Sequence, residues 1–145
     1  MLRHSSLIPL SRQHHNALAL CVRIERGLRE DTSPAKAAEL ARKATDLFEL
    51  EIRNHFDIEE RILFPAIREV LGPMPLVEEL VAEHRQLEAL VAGLPATLAK
   101  FAAMLSKHIR REEGELFEDI QNRLPPEKLE ELGVAIQAEI VRVCL

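Results

Sequence analysis

Apolar residues recur at three- and four-residue intervals through most of this chain, the spacing that gives an α-helix one apolar face. Ala17, Leu18, Cys21, Ile24 and Leu28 trace one such stripe. Ser11 lies ahead of it as a candidate N-cap, which predicts a first helix from about Ser11 to Arg29. Ser33-Pro34 joins a capping residue to a proline at the first helical position and starts a second helix. That helix runs to about Phe64, where Pro65 should kink or stop it. Residues Ala66–Leu71 add a turn or two before Gly72-Pro73. A third helix fits Leu76–Val91 and ends at Gly93. The fourth fits Pro95–Arg123, with Leu98, Phe101, Leu105, His108, Glu112 and Leu116 on one stripe. Beyond Pro125-Pro126 the pattern predicts a short amphipathic tail helix, interrupted or strained at Gly133.

No segment alternates as a strand would. Four long helices with short connections predict an all-α fold: an antiparallel up-down four-helix bundle with a short C-terminal helix. The core bundle is expected over about residues 11–123 and the tail helix over about 126–144, in one domain spanning 1–145. A chain of 145 residues can bury roughly 70% of its unfolded surface in a single core.

Two of these helices carry the same pattern, H-x-x-x-E-E-x-x-L-F. It begins at His55 and ends at Phe64, and it recurs from His108 to Phe117. A residue and its i+4 neighbour project from one helical face, so each copy presents an imidazole and a carboxylate in one direction. The other two helices contribute His14, in phase with Leu7, Leu10 and Cys21, and His84, in phase with Leu80, Leu87 and Val91. A single His on a helix is more often a surface or hydrogen-bonded residue than a ligand. Four of them on buried faces, with Glu59 and Glu112, are costly in an aliphatic core unless paired or bound to metal.

The donor set constrains the ion. Imidazole with carboxylate and no thiolate suits iron, manganese, zinc or copper, and six donors exceed the need of one tetrahedral zinc. The natural partition is two ions, each with two His, bridged by Glu59 and Glu112. Two Fe ions with an oxo or hydroxo bridge are expected, with Zn and Mn as alternatives. The Glu-x-x-His order of ferritin-like bundles is absent, because Ile52, Val81 and Leu105 stand three residues before His55, His84 and His108.

Composition narrows the function further. The net charge of −5 disfavours nucleic acid as a partner. With five Phe and neither Trp nor Tyr, radical relay and base stacking are not expected. Cys21 and Cys144 suggest no disulfide scaffold, no signal peptide is visible, and no run reaches the ~20 apolar residues of a membrane span. A reduced, cytoplasmic, soluble protein is expected, as a monomer or homodimer.

On His14, His55, Glu59, His84, His108, Glu112 and the Leu-Phe-Pro that closes the first motif, the chain resembles the hemerythrin-like (HHE cation-binding) family. The resemblance runs from Ser11 to Phe117. It implies a four-helix bundle around a non-haem di-iron centre that binds O2 or responds to NO and oxidative stress. It also carries the ligand role onto those six residues, with His15 as an alternative to His14 and Glu113 as an alternative bridge. Glu60 and Glu113 are otherwise expected at the surface or orienting an imidazole. The oxygen-carrying relatives have a fifth His four residues after the third-helix ligand, where this chain has Glu88. Glu88 is then either a third carboxylate ligand or a solvent-facing residue. That departure disfavours reversible O2 transport and makes the set more similar to the centres of iron–sulfur cluster repair proteins. The leading expectation is a non-enzymatic binder or sensor of O2, NO or iron. An enzyme of oxidative or nitrosative stress and a mononuclear zinc bundle are the alternatives.

Overall fold

The computed structural model describes residues 2–141. Its helices are α1 (Ile8–Glu30), α2 (residues 34–71), α3 (Pro75–Ala92), α4 (residues 98–123) and α5 (Pro126–Glu139). The connections are a few residues long, which forces successive helices antiparallel. α1 lies against both α2 and α4, and α3 packs on α4. The result is the expected antiparallel bundle with an additional C-terminal helix. Among the described residues, no helix is long and apolar enough to cross a membrane.

The start of α1 corrects the expected N-cap. The helix begins at Ile8, not after Ser11, because Leu7 and Leu10 are fully buried and extend the apolar stripe upstream. Pro9 sits in the first turn, where a missing N–H leaves no bond unmade. Ser11 instead donates its hydroxyl to Glu113 Oε2 at 2.8 Å. The second start is as expected: Ser33 Oγ accepts from the Lys36 N–H at 3.2 Å, ahead of Pro34. α2 ends at Gly72, whose φ of 80° favours glycine.

Pro65 does not end α2. The helix absorbs it by widening: Glu59–Leu63 is π-helical, and the Phe64 N–H reaches back to the Glu59 carbonyl. Pro65 offers no N–H to Arg61, so a turn that bypasses this bond removes the conflict. α4 widens at the matching place, Glu112–Phe117, with no proline there. A third wide turn occupies Phe48–Ile52. Gly133 does not interrupt α5, which runs unbroken through it. A Cβ at Gly133 would stand 3.3 Å from the Ser6 Cα, so the glycine permits close approach to the N-terminal segment. The tail beyond residue 141, Cys144 included, lies outside the described residues.

The core forms two apolar bodies. One gathers Leu20, Ile24, Leu40, Phe48, Leu87, Phe101 and Leu105 around the α1–α2 connection. The other gathers Leu7, Leu10, Ile58, Phe64, Ile67, Leu80, Phe117, Leu129 and Ile136, so α5 closes that end. Between them lies a polar layer.

Removing the Ser33 cap tests the helix assignments. Ser33→Ala should cost about 1 kcal/mol, read as a fall of roughly 2–4 °C in Tm. Ser11→Ala removes no cap and should leave helix content unaltered by circular dichroism.

Candidate metal centre

Each long helix turns one imidazole into the layer between the two apolar bodies. His14, His55, His84 and His108 are all buried, and the Glu59 and Glu112 side chains are 0% exposed. Among the described residues these six form two overlapping groups, each holding its donor atoms within 4.8 Å of one another. His14 and His55 share one group with Glu59 and Glu112, and His84 and His108 share the other with the same two acids.

The carboxylates divide their oxygens between the groups. Glu112 Oε1 lies 3.0 Å from His14 Nε2 and 3.4 Å from His55 Nε2, while its Oε2 lies 3.4 Å from His108 Nε2. Glu59 Oε2 lies 3.2 Å from His55 Nε2, and its Oε1 lies 3.1 Å from His84 Nε2. The wide turns open at Glu59 and Glu112 themselves, so each motif aims its first acid inward where the helix changes pitch.

The far nitrogen of every ring is held from outside. Glu113 Oε2 accepts from His14 Nδ1 at 2.6 Å, and Gln13 Oε1 accepts from His55 Nδ1 at 2.9 Å. Glu60 Oε2 accepts from His84 Nδ1 at 2.7 Å, and Glu83 Oε1 accepts from His108 Nδ1 at 2.7 Å. An ionised carboxylate only accepts, so these bonds place the ring proton on Nδ1 and leave the Nε2 lone pair facing inward. The four bonds close a ring: α1 supplies the acceptor for α2, α2 for α3, α3 for α4, and α4 for α1.

Arginines stand behind three of the acceptors. Arg3 pairs with Glu113 at 3.1 Å, Arg111 pairs with Glu83 at 2.9 Å, and Arg85 pairs with Glu60. Phenylalanines wall the site: Phe56 stacks on His84 with ring centroids 3.8 Å apart, and Phe117 stacks on His14 at 5.5 Å.

Burial sets the protonation of the layer. Desolvation lowers the pKa of His14, aided by the neighbouring His55 ring, and desolvation likewise lowers His108 against the pull of Glu83. Burial also opposes the charged form of His84, but the facing Glu59 carboxylate and the bond to Glu60 outweigh that and raise it. Glu59 is pushed up by burial and pulled down harder by the facing His55 and His84, so it stays ionised. The bond from His84 lowers Glu60, and the bond from His108 lowers Glu83.

Several inward atoms have no hydrogen-bond partner, namely both oxygens of Glu59, Glu112 Oε2, and the Nε2 atoms of His14, His84 and His108. Each such atom costs about 1–3 kcal/mol when left unmet in a dry interior. Imidazole nitrogens and carboxylate oxygens that converge without protein partners fit a cation and little else. The Hemerythrin HHE cation binding domain matches residues 9–120.

The chain belongs to the hemerythrin HHE cation-binding family. No match was found among curated proteins or among solved structures. Membership and the buried His/Glu groups together make this a metal-binding helical bundle.

The remaining candidates of this hemerythrin-family chain stay outside both groups. His15 is exposed, one position out of phase with the inward face of α1. Glu88 pairs with Arg85 at 3.2 Å and does not reach the donors. Glu113 does not bridge; it receives His14, Ser11 and Arg3 from outside. His4, the remaining histidine, lies away from the layer with its ring bonded to the Ser6 hydroxyl at 2.8 Å. Gln13, Glu83 and Arg3 were not anticipated. Gln13 and Glu83 each precede a His in sequence yet serve the His of the next helix, so only packing reveals them.

Cys21 belongs to the apolar body at the α1–α2 end rather than to the polar layer. Burial, with Glu25 nearby, pushes its thiol up to about 12 from 9.0. The folded state therefore favours the protonated thiol, a contribution present below pH 9.0 and lost as pH rises toward 12. Iodoacetamide at pH 8 should leave Cys21 unlabelled in the native protein and label it in urea, as read by peptide mass mapping. Equal labelling in both states would contradict its placement.

Proposed function

We propose that this chain is a non-haem di-iron protein that binds O2 or NO at a dinuclear centre. His14, His55, Glu59, His84, His108 and Glu112 would hold the ions, with His14 and His55 on one side and His84 and His108 on the other. The observation that carries this reading is the split of both carboxylates, each directing one oxygen to each imidazole pair. One mononuclear ion would leave half of these donors unmet. Six donors also exceed tetrahedral zinc, and a redox pair supplies the electrons that bind O2, or the open position that binds NO.

A small ligand fits the surroundings. A cavity of about 10 Å³ lies beside Gln13, His14, His55 and His108, its remaining wall formed by Ala17, Ile52, Phe56, Leu105 and Ile109. It offers room for about one water-sized molecule. A space of that size is too small for an organic substrate, and its wall beyond Gln13 and the imidazoles is apolar. Glu88, turned to Arg85, leaves the position of the oxygen carriers' fifth His without an imidazole. That favours sensing or scavenging over reversible transport.

Metal analysis of protein produced in iron-rich medium should give about two irons per chain. A reproducible value near one would sink the dinuclear reading, and zinc alone would sink the choice of iron. Glu112→Ala should drop the content to about one or fewer, because it removes a donor from both sides at once. Stopped-flow mixing of the reduced protein with O2 or NO should show stoichiometric binding; repeated turnover would move the assignment to an enzyme.

A further inference from the structure

The ring of outer hydrogen bonds has an internal repeat. On α1 and α3 the acceptor is the residue just before the His, Gln13 serving His55 and Glu83 serving His108. On α2 and α4 it is the residue just after the inward acid, Glu60 serving His84 and Glu113 serving His14. Gln13 and Glu83 thus hold equivalent places, yet one is neutral and the other charged.

The C-terminal segment explains the difference. Gln13 Nε2 donates to Asn54 Oδ1 at 3.0 Å and to the Val141 carbonyl at 2.9 Å. Asn54 Oδ1 also accepts from the Val141 N–H at 3.0 Å, and Asn54 Nδ2 donates to the Glu139 carbonyl at 3.0 Å. Two oxygen acceptors face the nitrogen side of Gln13, so the amide has one workable orientation, with Oε1 toward His55. A carboxylate at position 13 would set oxygen against oxygen. Docking of the segment that follows α5 therefore demands an amide here.

An amide accepts more weakly than a carboxylate and brings no negative charge to the ring. Outer carboxylates raise the basicity of a metal-binding imidazole, and their removal typically costs 10–100-fold in metal affinity. His84 and His108 have two such carboxylates, whereas His14 and His55 have one. Arg3 behind Glu113 is also the most shielded of the three arginines, its side chain 16% exposed against 54% for Arg85. It offsets its carboxylate with less help from solvent. We propose that Gln13 is a positioning residue, locked by Asn54 and the C-terminal segment, that makes the His14/His55 side the weaker and more readily emptied side of the centre.

The proposal rests on the dinuclear reading, and anaerobic titration of the metal-free full chain with Co(II) against a competing chelator tests it. Two constants separated by about tenfold or more are expected. Gln13→Met should weaken the second step by about 10–100-fold and widen the gap. Glu83→Gln should weaken the first step and narrow it. Asn54→Ala, which frees Gln13 without removing it, should widen the gap less, and it serves if Gln13→Met fails to fold. Opposite movement of the gap is a readout that general destabilisation does not produce. Two equal steps in the unaltered chain, or a Gln13 substitution acting on the first step, would overturn the assignment alone. A single ion per chain would overturn the dinuclear reading and this assignment with it.

Discussion

Six polar side chains in an aliphatic interior govern this fold. With unmet donors and acceptors costing about 1–3 kcal/mol each, the layer places a demand comparable to the 5–15 kcal/mol that stabilises a typical domain. The protein meets it from two directions. Outward, every Nδ1 finds an acceptor on a neighbouring helix; inward, Nε2 atoms and carboxylate oxygens converge in an arrangement that fits a cation. The rest of the architecture serves that geometry. The short breaks between helices keep neighbours antiparallel, and the wide turns open at Glu59 and Glu112, the two acids of the layer.

Periodicity made the helices legible, because one apolar stripe per helix is what packing into a bundle requires. It also placed His14, His55, His84 and His108 on buried faces, and the repeated motif singled out Glu59 and Glu112. Local signals misled where tertiary context outweighed them. Ser11 looks like a cap, but Leu7 and Leu10 had core to fill, and the serine was left to hold Glu113. Pro65 looks like a stop, but a turn that skips one bond tolerates it. Gly133 looks like a break, but its missing Cβ serves contact with Ser6.

What stayed hidden was the outer support. Glu60 and Glu113 could be suspected, since they follow the inward acids. Gln13 and Glu83 could not, because they lie outside the repeated motif and, like the other two, reach an imidazole on another helix. Arg3 was invisible for a similar reason: it meets Glu113 only after the N-terminal segment folds back along α4. Side chains that act across helices are a property of packing, which a linear pattern does not encode.

The division of the core carries a further consequence. Because the polar layer separates two apolar bodies, the bundle has two zones of cohesion joined at one level. Ile140, one residue before Val141, packs against the zone that holds α5 and the first turn of α1. Through Val141 and Asn54 that zone reaches Gln13, so the packing of α5 and the orientation of the His55 ring are set together rather than independently.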